Sequence, residues 1–189
     1  MIRAGLDLHT AISLLRSYAG PASQYTLRSC QVSTEAVVAY DRALAAIWSE
    51  LLGRDISADD PWLWLPLRMS GCGASSARAR QNTAPWAAWC AVADELVQHM
   101  RCRDVEHLFE TVPPLAARIS TLHSRLLSQG TMSSISFASA QRALTFDTKQ
   151  KDLISHIHKQ TLRTLRAAMD DNEIAFLRSA SGQAAGAFL

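Results

Sequence analysis

The stretch Ser33-Thr34-Glu35-Ala36-Val37-Val38-Ala39-Tyr40-Asp41-Arg42-Ala43-Leu44-Ala45-Ala46-Ile47-Trp48-Ser49-Glu50-Leu51-Leu52-Gly53 decides the fold class. Val37, Tyr40, Leu44, Ile47, Trp48 and Leu51 recur at steps of three and four, so they share one side of a helix. Ser33 suits the N-cap, because its hydroxyl can accept from a free first-turn N–H. Gly53 suits the position just past the end, where the chain turns left-handed. A 19-residue segment with both ends marked in this way reads as a helix and not as a strand.

The rest of the chain repeats that grammar. Its 189 residues hold 8 Gly and 6 Pro, few breakers for this length, and alanine is abundant. Helices are expected at about 6–18, stopped by Gly20-Pro21, then at about 21–29 and 34–52. Asp60-Pro61 reads as a cap and first residue of a brief helix holding Trp62 and Trp64. Ser75 or Ser76 opens a short helix to about 81, and Thr83 with Pro85 opens another to about 101. The inward stripe of that second helix is Trp86, Trp89, Val92, Ala93, Leu96 and Met100. Asp104 and Pro113-Pro114 start two more, residues 131–137 form a linker, and helices at about 148–168 and from Asp170 or Asp171 close the chain. The expected architecture is all-α, an irregular bundle of about seven to nine helices, in one body or in two loosely packed lobes. Three consecutive parts are read: 1–66, 67–137 and 138–189.

Charge and cysteine content narrow the function classes. The 19 basic and 17 acidic residues leave a formal charge of +2, too small for a histone-like polycation but open to a local basic face. Cys30, Cys72, Cys90 and Cys102 form no short pairing motif, and Arg3, Asp7 and His9 interrupt any signal-peptide pattern. An intracellular, reduced setting with free thiols is expected, and no apolar run approaches the roughly 20 residues of a membrane span.

Catalytic and cofactor chemistry finds little footing. Cys90, His99, Cys102 and His107 are close in sequence, yet they lack the tight paired spacing of a zinc clip. No Gly-x-Ser-x-Gly elbow occurs, and Gly71-Cys72-Gly73 lacks the Lys-Ser/Thr of a phosphate loop. Asp59-Asp60 and Asp170-Asp171 each precede a helix, where carboxylates cap; two-metal chemistry would set such a pair on a strand hairpin. No cofactor and no metal is expected. One binding feature remains: Lys149, His156, Lys159, Arg163 and Arg166 step by 7, 3, 4 and 3 along one helical face. Such a stripe is either a solvated face or a surface for nucleic-acid phosphates.

The segment Leu65-Pro66-Leu67-Arg68-Met69-Ser70-Gly71-Cys72-Gly73-Ala74-Ser75-Ser76-Ala77 resembles a family signature. The similar stretch, Leu-Pro-x-Arg-x-Gly-Gly-x-Gly-Leu-x-Ser-Ala, follows the palm and thumb in reverse transcriptases of non-LTR (LINE-type) retrotransposons. Leu14-Leu15-Arg16-Ser17 and Tyr25-x-Leu27-Arg28 upstream resemble the family's preceding helices. Thr83-Ala84-Pro85 with Ala87 and Trp89 resembles the helix after the signature. Gln150-Lys151-x-Leu153, Phe176 to Gly182 and Ala185 to Leu189 resemble the terminal ones. Ser70 stands where the family has its first glycine, and Ser57 stands where an aromatic-x-Asp-Asp motif would need its aromatic. The resemblance implies a post-catalytic fragment of such an element, without polymerase activity of its own. It also implies contacts with RNA or DNA backbone through Arg68, Lys149, Lys151, His156, Lys159, Arg163 and Arg166. The competing expectation is a helical interaction module with no nucleic-acid role, marked by an exposed patch around Trp62, Trp64 and Trp86.

Overall fold

The computed structural model describes residues 5–130 and 150–180; Lys149 and the expected linker at 131–137 lie outside the described residues. The described residues are helical, with no strand among them. They comprise α1 (Leu8–Leu14), a π turn (Leu15–Ala19), α2 (Gly20–Ser29), α3 (Thr34–Leu52), α4 (Pro61–Trp64), a 3-10 turn (Leu67–Met69), α5 (Ala77–His99), α6 (Val105–Thr111), α7 (Pro113–Ser128), α8 (Gln150–Ala168) and α9 (Asp171–Ala180). Because α1, the π turn and α2 run on without a break, the described residues make eight helices, an all-α protein as expected. None of the described helices is long and apolar enough to cross a membrane.

The chain divides into two compact units. Unit 1 takes residues 1–26, 32–78 and 158–189, and unit 2 takes 27–31 and 79–157. Each unit is assembled from segments far apart in sequence. In unit 1 the core is Ile12 and Leu15 from the first rod, Leu44, Trp48 and Leu51 from α3, and Ile56 and Leu63. In unit 2 it is Trp86, Trp89 and Ala93 from α5, Leu108 and Phe109 from α6, Ile119, Leu122 and Leu126 from α7, and Leu153 from α8.

Local signals hold at most helix ends. Ser33 accepts from the Ala36 N–H, and Gly53 is left-handed at φ 64. Asp60 accepts from the Trp62 N–H, Asp104 from the His107 N–H, and Asp170 and Glu173 cap α9 reciprocally. Two proline expectations are corrected. Gly20-Pro21 does not stop the first helix, because the π turn lies across the preceding residues. Its wider ring makes room where the Pro21 ring would otherwise press on the Ser17 carbonyl. Nor does Pro85 start a helix: α5 is continuous from Ala77 to His99. An internal proline costs about 3 kcal/mol, and here residues 82–87 are all buried, so packing offsets the lost backbone bond.

The stripes are partly as expected. Val37, Leu44, Trp48 and Leu51 are buried and Tyr40 is half-buried, but Ile47 is exposed. On α5, Trp86, Trp89 and Ala93 go inside, whereas Val92 and, just past the helix end, Met100 stay out. Trp86 is buried and Trp62 and Trp64 are half-buried, so the exposed tryptophan patch expected of an interaction module is not there.

Candidate nucleic-acid interface

The Leu65–Ala77 segment is a knot of backbone hydrogen bonds. The N–H groups of Cys72, Gly73 and Ala74 donate to the carbonyls of Trp62, Leu65 and Leu63, at 2.9, 2.8 and 3.1 Å. Gly71 is required for space: a Cβ there would lie 2.1 Å from the Leu65 carbonyl oxygen. Ser70, at φ 63, takes a left-handed conformation, and its hydroxyl donates to the Leu177 carbonyl of α9. Arg16, on the π turn, holds the knot from below. Its Nε and Nη2 donate to the Cys72 carbonyl at 3.0 and 2.7 Å, and its guanidinium lies 5.6 Å from the Trp48 ring centroid. Burial holds the Arg16 pKa below its ordinary value and pushes the Cys72 thiol up.

The far end of the knot starts α5. Asp41, 1% exposed on α3, accepts from the Ala77 N–H at 2.7 Å, the Ser76 hydroxyl at 2.6 Å and the Arg78 N–H at 3.2 Å. A carboxylate 36 residues away therefore caps this helix. The sequence places Asp41 on the α3 stripe between Tyr40 and Leu44. That buried position was the available signal that it has a partner.

Arg68, on the 3-10 turn, is exposed and forms no hydrogen bond or ion pair among the described residues. In the same unit, Lys159, Arg163 and Arg166 are exposed on α8, and none has a hydrogen bond or ion pair among the described residues. Their spacings of four and three residues put them within about 60° of arc and along about 10 Å of helix. The half-buried apolar residues Leu162 and Leu165 lie outside that arc. Lys151 and His156 are exposed on the unit 2 portion of α8. By helical phase His156 continues the stripe and Lys151 stands off its edge. Asp152 is the sole carboxylate on α8, and Asp170, four residues after Arg166, lies past its end and caps α9, so none of the three unit 1 cations is ion-paired among the described residues.

Chemistry of other kinds is not assembled among the described residues. No group of three or more His, Cys, Asp or Glu side chains converges to hold a metal ion. Within the cysteine and histidine run, the His107 Nδ1 accepts from the Arg103 N–H, and burial pushes the Cys90 thiol up to about 11. Asp59 pairs with Arg78 at 2.9 Å while Asp60 caps α4, so the two carboxylates serve different partners. A shallow groove between α3 and residues 55–58 carries one cation, Arg42, and one carboxylate, Asp55, over an alanine floor. Comparison with family models, curated proteins and solved structures finds no match to this chain.

Proposed function

We propose that this chain is a non-catalytic helical module that holds nucleic-acid backbone, derived from the region after the palm of a non-LTR retrotransposon reverse transcriptase. The observation that carries the binding role is the set of three exposed cations at Lys159, Arg163 and Arg166, unpaired among the described residues. Surface cations on a helix commonly meet a carboxylate one turn away; none of these is ion-paired among the described residues, Asp170 being taken up in capping α9, and a phosphate supplies what is missing. Arg68 of the same unit, at the family's arginine position, is a fourth cation unpaired among the described residues. Binding of this kind reads phosphates and not bases, so it is weak and indifferent to sequence.

The test is salt-dependent binding to RNA and DNA. Three phosphate contacts give a slope of log affinity on log salt of about −2 to −3. Lys159, Arg163, Arg166→Glu should abolish binding at all salts with the helical content unchanged. Wild type and this variant binding equally poorly at low salt would remove the nucleic-acid role. A second reading, a helical interaction module, is favoured by the exposed Tyr18 and Tyr25 of the first rod.

A further inference from the structure

The Leu65–Ala77 knot and the corner between α8 and α9 belong to the same unit, and the Ser70 side chain joins them. Ser70 closes the 3-10 turn at φ 63, a left-handed conformation that costs a serine more than a glycine. Its N–H donates to the Leu67 carbonyl at 2.8 Å, and the Met69 N–H donates to the Pro66 carbonyl at 2.8 Å. The turn that carries Arg68 is therefore fixed within the knot. Glycine would close that turn more easily. What serine adds is a hydroxyl, which donates to the Leu177 carbonyl at 3.1 Å across 107 residues of sequence. Leu177 is 2% exposed, so the tie is made where α9 is buried.

From Leu177 the connection to the α8 cations is short and stiff. Two residues, Met169 and Asp170, separate α8 from α9. The Met169 N–H donates to the Arg166 carbonyl, and Asp170 and Glu173 cap α9 reciprocally. Leu177 lies about 9 Å along α9 from Asp171. The backbone path from Arg68 through the tie to Arg166 is no longer than about 40 Å, the length of about twelve base pairs of duplex. We infer that Ser70 is a positioning residue, whose hydroxyl holds Arg68 in register with Lys159, Arg163 and Arg166 so that one nucleic-acid backbone meets all four. The inference rests on the backbone-binding role proposed above, and adds to it a fourth contact and the group that places it. Without the tie, a ligand would have to order two pieces of the protein at once, at a cost in affinity. With it, that ordering is done during folding.

The measurement is the slope of log affinity on log salt for the full chain. The probes are a DNA duplex of about 20 base pairs and an RNA strand of about 20 nucleotides, on which each phosphate contact contributes about 0.9 and about 0.7 to the slope. Arg68→Gln should lower the slope by one contact. Ser70→Ala and Ser70→Gly should each lower it by the same amount, and Arg68→Gln added to either should take nothing further. The two Ser70 variants separate placement from stability. Glycine accepts φ 63 and alanine does not, so Ser70→Gly should melt higher than Ser70→Ala while giving the same slope. A purely structural role for Ser70 would move the melting temperatures and leave the slope at the wild-type value, which overturns the inference. So does an Arg68→Gln variant with the wild-type slope, or a double variant that loses two contacts. Wild type with no salt-dependent binding to either probe removes the backbone-binding role itself. Binding that Lys159, Arg163, Arg166→Glu abolishes and the Ser70 variants leave unchanged removes only the placement of Arg68.

Discussion

Unit 1 and unit 2 solve the same problem, joining helices, by different means. Unit 1 ties its helices with polar groups that reach across the sequence: Asp41 to the start of α5, and Arg16 to the Cys72 carbonyl. Unit 2 relies on aromatic area. Trp86 stacks on His123 with ring centroids 5.5 Å apart, and Trp89 stacks on Phe109 at the same distance. The indole N–H groups of Trp86 and Trp89 and the Oδ1 of Asn82 are buried with no hydrogen-bond partner among the described residues. A polar tie fixes geometry and fails abruptly when one partner goes. An aromatic core tolerates polar imperfection because the area buried is large.

That contrast can be broken in order of severity. Asp41→Ala should cost about 4 kcal/mol, since it strands two backbone N–H groups and a hydroxyl in the interior. Urea denaturation gives the loss, and hydrogen exchange should show it first at the amides of Ala77 and Arg78. Leu126→Ala, at a fully buried site in unit 2, should cost about 3 kcal/mol through the cavity it leaves. Its exchange changes should spread over α5 and α7 and not gather at one helix end. Arg16→Met should cost about 2 kcal/mol by removing both bonds to the Cys72 carbonyl while keeping an apolar stem on Trp48. Trp86→Phe should cost only about 1 kcal/mol, because the lost area is offset by removing an unpaired donor. A loss there as large as that of Asp41→Ala would erase the distinction between the units.

The smallest effect is a pH dependence. Burial holds the His123 imidazole below its ordinary value. The unfolded chain takes up that proton near pH 6.5, and the folded chain only at lower pH. The stability tied to neutral His123 is therefore complete above about 6.5 and declines as the pH falls through the window beneath it. Urea midpoints at pH 7.5 and 5.5 should differ in that direction, and His123→Gln should flatten the difference.

Much of the fold was legible in the sequence because the caps act locally. Ser33, Asp60, Asp104 and Asp170 each bind an N–H two or three residues on, and each was readable from its neighbours. The two prolines were misread for the opposite reason. Whether Pro21 or Pro85 ends a helix depends on a π turn in one case and on burial by distant helices in the other, and neither is encoded beside the proline. Asp41 belongs with them, since its donors arrive from 36 residues away. The α8 stripe was visible as spacing, but the absence of ion pairs to it among the described residues came only with the structure.

The reach of Asp41 also sets an order on events at the ribosome. α3 leaves the exit tunnel before residues 76–78 do, so a carboxylate is already outside when the first turn of α5 emerges. Synthesis from one end thus delivers the lock before the key. A piece of the chain that began at Ala77 would have to start α5 with its leading N–H groups open to water, and should fray there however well its tryptophans pack.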